Sequence, residues 1–301
     1  MSDKGSTRVV PEPGIHQDIP FEEYVEWDAV NNSSLTRAAR SMAHYRYAPP
    51  QAETKALRFG KLCHSGALEP LLIPKHYVVM PDLAEGIRRA DGTEYASPRA
   101  TAEYKRRAAE FKEANADKEV VDQDTYDTMM GVVDALLAHE RAREYLYAPD
   151  PSEVSIVWDD PETGIRCKGR IDRLQLRASR LSDLKTTIDA SQFERSVFRF
   201  AYHRQGAFYV DGMRVLTGED FAFALVAVER DKPFGVRAAP LHSEALVEGR
   251  IEYRRLLRAI AQARQTGEWK GYEDPDCWRL PAYASSSQSA DLVIGGQTVA
   301  L

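Results

Sequence analysis

IRCKGRIDRLQLRASRLSDLKTT, residues 165–187, predicts two strands that each deliver one carboxylate. Ile171 and Leu174 give the first strand its apolar positions, Leu181 and Leu184 the second, and Ser179 with its neighbours supplies the turn. In such a hairpin Asp172 and Asp183 come close near the ends of adjacent strands. Two carboxylates so placed can share a divalent cation, and Lys185 approaches from the same edge. Oxygen-rich ligation favours a hard ion, Mg²⁺ or Mn²⁺, over Zn²⁺. The residues therefore predict a metal site of hydrolytic type. Acids and a lysine on a surface hairpin can also be plain ion pairs, and the flanking sequence must decide between the two.

Working outward, G-R-I-D (Gly169 to Asp172) and D-L-K-T-T (Asp183 to Thr187) are followed by Y-H-R-Q-G-A-F-Y (Tyr202 to Tyr209). Upstream stand F-G-K-L-C-H-S-G-A-L-E-P (Phe59 to Pro70) and E-V-S-I-V-W (Glu153 to Trp158). Together these resemble the RecB-type branch of the PD-(D/E)xK nucleases, and more particularly the exonuclease VIII (RecE) C-terminal nuclease domain, over roughly Asn31 to Glu229. The resemblance implies an α/β fold: a restriction-endonuclease-like αβββαβ core with a mixed sheet and added helices. It implies a metal-dependent exonuclease on linear double-stranded DNA, working 5′ to 3′ and leaving 3′ overhangs for annealing-type phage or prophage recombination. Partners implied are DNA ends, a single-strand annealing protein and further copies of the chain in a trimeric or tetrameric ring. The alternatives are a RecB-like single-strand nuclease of a CRISPR or repair system and an inactive DNA-binding scaffold of the same fold.

The same resemblance distributes roles. His64, Asp172, Asp183 and the Leu184 carbonyl are expected to hold Mg²⁺ or Mn²⁺, Lys185 to orient or help deprotonate the attacking water, and Gln205 to position Lys185. On its own, a lone helical histidine such as His64 is more often a packing residue; its ligand role comes from the family. Glu153 stays open between a holder of water or a second cation and a rim residue. Tyr202, Gln205 and Tyr209 share one helix face, so the tyrosines are either DNA contacts or ordinary packing. The loop carrying Arg88, Arg89, Asp91 and Gly92 departs from the family, whose members often have Arg-Thr and Gly-Lys there.

The 301 residues, 43% of them hydrophobic, can bury one large core, expected over residues 31–282, with an arm over 1–30 and a low-complexity tail over 283–301. No apolar run approaches the ~20 residues that span a bilayer and the N-terminus has no secretory signal, so a cytoplasmic protein without a membrane partner is expected. Cys63, Cys167 and Cys277 form no disulfide or zinc pattern and are too few for an iron–sulfur cluster. Net charge is -6, yet residues 165–185 hold seven basic residues against two acids. That island, including Arg166, Lys168, Arg170 and Arg173, is either a DNA-binding surface or a solvated strand face.

Periodicity predicts helices from a cap at Asn32 or Ser33, over Lys55 to Leu68, Arg99 to Asn115, Gln123 to Ala138, Ser191 to Leu216 and Ser243 to Thr266. Strands are predicted at Tyr77 to Pro81, Val154 to Asp159 and Phe221 to Glu229. The tail is compatible with disorder, a small hairpin at its Gly-Gly, or a partner-binding segment.

Overall fold

The carboxylate hairpin forms the middle of a six-stranded sheet in a computed structural model, which describes residues 9–49 and 52–278 together with the backbone of 292–294 and 297–299. In chain order, strand β1 (Gly14–His16) leads to helices α1 (Phe21–Glu26), α2 (Asn32–Arg40), α3 (Met42–Tyr47) and α4 (Lys55–Leu68). A peripheral unit follows, α5 (Ile73–His76), β2 (Tyr77–Val79), α6 (Ala102–Ala114) and β3 (Glu119–Val121), in which β2 and β3 pair in parallel. Helices α7 (Gln123–Ala138) and α8 (Glu140–Leu146) then precede β4 (Ser152–Asp159), β5 (Arg166–Gln175) and β6 (Arg180–Thr187). The rest comprises α9 (Phe193–Arg199), α10 (Tyr202–Thr217), β7 (Ala222–Glu229), β8 (Val236–Pro240) and α11 (Ser243–Thr266), with β9 (Leu292–Ile294) and β10 (Gln297–Val299) pairing antiparallel beyond them.

The sheet order is β1-β4-β5-β6-β7-β8. β4, β5 and β6 make an antiparallel meander, and α9 and α10 carry the chain over to β7, parallel to β6. This is the mixed αβββαβ core expected from the sequence, with α4 as its first helix. The turns follow from their residues: the Asp160 carboxylate accepts the Thr163 N–H and hydroxyl, and Gly164 and Ser179 take the left-handed conformation that reverses the chain. On one face α2, α10 and α11 bury Phe208, Val210 and Leu257 against Ile156, Trp158 and Leu181. On the other, α4, α7 and α8 bury Leu62, Met129 and Leu146 against Leu184, Val226 and Val228. Central strands are thus covered on both sides, each large apolar side chain contributing about 1.5–3 kcal/mol. At Gly169 the contact is so close that an added Cβ would meet Tyr209 Cε1 at 2.8 Å.

Three expectations change. The arm over residues 1–30 is, from Gly14 on, built into the fold. β1 pairs with β4 at the sheet edge, and the Val30 backbone exchanges hydrogen bonds with Arg166 and Lys168. Tyr24 and Trp27 pack on Val157, and the buried Lys168 ammonium donates to the Tyr24 and Trp27 carbonyls at 2.6 and 2.7 Å, capping the end of α1. Second, the helix predicted over Ser191 to Leu216 is two helices, because Ala201 at φ 54 turns the chain between α9 and α10. Third, of the tail's alternatives the backbone pairing of β9 with β10 is described, while its Gly-Gly lies outside the described residues.

Since Lys168 holds α1 from inside, Lys168→Met is expected to cost about 1.5–3 kcal/mol of stability by urea unfolding. It is also expected to expose residues 14–30 to proteolysis. An unchanged unfolding midpoint would contradict its capping role.

Candidate active site

The β5–β6 ladder runs only as far as Arg173 opposite Ser182, and beyond that pair the two strands diverge. Asp172 and Asp183 lie at that fork, both buried. Asp172 Oδ2 accepts the Leu184 N–H at 2.7 Å, so its carboxylate takes up the opening between the strands. Helix α4, started by the Thr54 hydroxyl accepting the Leu57 N–H, brings His64 over this point. The imidazole Nε2 lies 2.7 Å from the Leu184 carbonyl oxygen. That oxygen only accepts, so Nε2 carries a proton, and Nδ1 faces Asp172 Oδ2 at 3.5 Å and Glu153 Oε1 at 4.0 Å.

Glu153 thus belongs to the cluster rather than to a distant rim. It sits in β4 with φ 52, an uncommon conformation for a residue with a side chain, costing on the order of 1–2 kcal/mol. Arg170 Nε grips its other oxygen at 2.5 Å. Donor atoms of His64, Glu153 and Asp172 lie within 4.8 Å of one another.

On the far side of the fork, Gln205 Nε2 donates to Asp183 Oδ1 at 2.7 Å. The Lys185 ammonium stands 2.6 Å from Asp183 Oδ2, a charge-assisted contact that engages this buried oxygen. Lys185 Nζ also lies 4.8 Å from the Tyr202 ring centre. Burial disfavours the Lys185 charge, yet Asp183 and Asp172 outweigh it and hold the ammonium at about 12. Burial, then the neighbouring Asp183 charge, push Asp172 well above the usual carboxylate range.

These features fit a divalent cation. Asp172 and Asp183 repel each other in a low-dielectric fork, and a ring nitrogen of His64 faces Asp172 and Glu153, with one ligand atom from each of these three residues within 4.8 Å of the others. Of the residues expected from sequence, His64, Asp172 and the Leu184 backbone are in contact, while Asp183 lies on the other side of the fork with Gln205 and Lys185. Glu153 joins the same cluster, and Gln205 engages Asp183, not Lys185.

The expected DNA-contacting residues are mostly occupied internally. Arg166 pairs with Asp159, Lys168 caps α1, Arg170 holds Glu153 and the Ile19 carbonyl, and Arg173 donates to the Asp150 carbonyl. Tyr209 is buried against Gly169 in the core, whereas Tyr202, half-buried, sits over Lys185. No basic stripe remains along β5, because both its faces are covered. The role of Arg170 had a sequence signal: it lies two residues before Asp172, hence on the same face of the strand.

Among solved structures, the chain resembles a candidate exonuclease from Eubacterium rectale, with TM-score 0.51 and 14% identity over 82% of this chain and 88% of that one. A likeness to SSO0001, with TM-score 0.27 and 15% identity over 66% of this chain and 85% of that one, is too slight to bear on the fold. Curated proteins offer no match. No helix among the described residues is long and apolar enough to cross a membrane. The family described as PDDEXK-like domain of unknown function (DUF3799) matches residues 32–281, in line with the sheet order and the acid fork, and the chain belongs to that family.

Proposed function

We propose that this protein is a divalent-metal-dependent nuclease, an exodeoxyribonuclease that hydrolyses linear double-stranded DNA from its ends. One observation carries the reading: Asp172, Asp183 and Lys185 meet His64 and Gln205 at a single strand fork. His64, Asp172, Asp183 and the Leu184 carbonyl would hold Mg²⁺ or Mn²⁺, with Glu153 beside them. Bound there, the ion supplies Lewis-acid polarisation of the phosphodiester and acidifies a water. Lys185, kept protonated by the two acids, orients that water through its N–H donors and offsets charge building on the phosphate oxygens. A lysine held protonated in this way favours the orienting role over that of a general base. Gln205 fixes the Asp183 carboxylate, and Arg170 does the same for Glu153.

Polarity from 5′ to 3′, 3′ overhangs for annealing-type recombination, an annealing partner and a ring of three or four subunits are supported by the sequence resemblance alone. With the basic residues of β5 engaged inside the protein, they lend no support to a basic ring lining.

The test incubates purified protein with end-labelled linear duplex, single strands and closed circular duplex, in Mg²⁺, Mn²⁺ or EDTA. Metal-dependent loss of linear duplex with survival of circles is expected. Cutting of circles would replace the exonuclease reading with an endonuclease one, and no cleavage in any metal would overturn both. Gln205→Ala is expected to reduce turnover by roughly tenfold, on the scale of a lost charge-assisted hydrogen bond. A loss of stability at unchanged specific activity would contradict its place at Asp183.

A further inference from the structure

Beside the acid fork, a line of aromatic rings leads from Lys185 to the surface. Tyr202, whose ring centre lies 4.8 Å from Lys185 Nζ, packs against Phe193 on one side, with centroids 5.9 Å apart, and Phe200 on the other at 5.7 Å. Phe193 is buried but Phe200 is 53% exposed, and Phe198, stacked on His203, is 80% exposed. Arg199 lies between these two in sequence, its guanidinium 5.5 Å from the Phe200 centroid. Arg195, one turn earlier, is exposed as well. The left-handed Ala201 produces this display: it ends α9 and starts α10, so Phe200 stays at the corner instead of entering a helix face.

Each of these rings keeps one contact within the chain and turns much of its remaining surface to solvent. Aromatic faces flanked by exposed guanidinium groups suit a flat π-system joined to a phosphate chain, because the rings stack and the cations meet the phosphates. We propose that Phe200, with Arg199, is a stacking platform for an unpaired base of the nucleic-acid strand held at the fork. The inference rests on the nuclease reading for what lies beyond Tyr202. Phe200 contacts the Tyr202 ring, which in turn faces the Lys185 ammonium, so the two ends are no farther apart than about three stacked nucleotides at about 3.4 Å each. The platform would thus hold a base within a few nucleotides of the phosphate at Asp172 and Asp183, and favour a strand end freed from its duplex partner.

The test titrates full-length protein into duplex bearing a short single-stranded tail with 2-aminopurine at successive positions, with EDTA present so that binding is read without cutting. Wild type and Phe200→Trp are expected to quench the probe at one tail position, and Phe200→Ala to bind about tenfold or more weakly with the quench lost. Equal affinity and equal quench for Phe200→Ala, or no binding by wild type, would overturn the platform. A fall in particle mass by light scattering for Phe200→Ala would overturn it too, since the corner would then be a contact between copies. Parallel cleavage in Mn²⁺ separates the two claims. Quenching that depends on Phe200 in a protein that cuts no nucleic acid would refute the nuclease and leave the base platform standing.

Discussion

Asp183→Asn is expected to lower cleavage of linear duplex by roughly 10³-fold or more, while the unfolding free energy moves by about 1 kcal/mol or less. Both halves follow from the fork. Asn keeps the volume and still accepts from Gln205 Nε2, so packing on β6 is preserved. What disappears is the charge that would help hold a cation and that keeps Lys185 protonated. The stability effect is small because two changes oppose each other: repulsion with Asp172 is relieved, and Lys185 loses its nearest counter-charge. End-labelled duplex in Mn²⁺ and urea unfolding of the same sample measure the two. Near wild-type cleavage would show that the fork is not the catalytic centre.

Arg204→Met is expected to do the reverse, lowering stability by about 3–5 kcal/mol while the protein that remains folded keeps its activity. Arg204 is one of the largest fully buried side chains, and its guanidinium holds three elements together. It donates to Glu252 of α11 at 2.8 Å and to the Thr36 hydroxyl of α2 at 2.6 Å, from its own place on α10. Methionine fills the space but leaves the half-buried Glu252 with His203 as its remaining partner. His203 Nε2 lies 3.4 Å from the other Glu252 oxygen, a bond that raises the imidazole above its ordinary 6.5 and lowers Glu252 below its ordinary 4.5. The His203 contribution is therefore complete below about pH 6.5 and is lost as pH rises through the raised value. That of Glu252 is complete above about pH 4.5 and is lost as pH falls through the lowered one. Urea midpoints across pH should show the wild type losing stability on either side of that interval, with its advantage over Arg204→Met shrinking on the acid side, where protonated Glu252 no longer pairs with Arg204. A midpoint shift below about 1 kcal/mol would contradict the network.

The features legible in the sequence were those set by local pattern. Helices α4, α7 and α11 run over the residues that their apolar spacing marked, and the acid hairpin lies where Asp172, Ser179 and Asp183 put it. Less legible were the partners of charges. Lys168 meets carbonyls some 140 residues away and Arg170 meets Glu153 across a strand pair, whereas counting charges along residues 165–185 described an open basic surface. Only the sheet order shows that β5 is covered on both faces and that its cations must find partners inside. The break at Ala201 had no glycine or proline to announce it, so one helix was expected where two stand. Residues 14–30 looked like an arm because three paired residues at a sheet edge and a six-residue helix carry too little periodicity to stand out.

Binding of Mn²⁺ by calorimetry bears most directly on the claim that the fork of Asp172 and Asp183 is a metal centre. Wild-type protein is expected to take up the ion with a saturable heat, releasing a proton as the Asp172 carboxyl loses its own, and Asp172→Asn and Asp183→Asn are each expected to weaken binding by tenfold or more. Equal binding by all three proteins, or none by the wild type at millimolar Mn²⁺, would contradict the account.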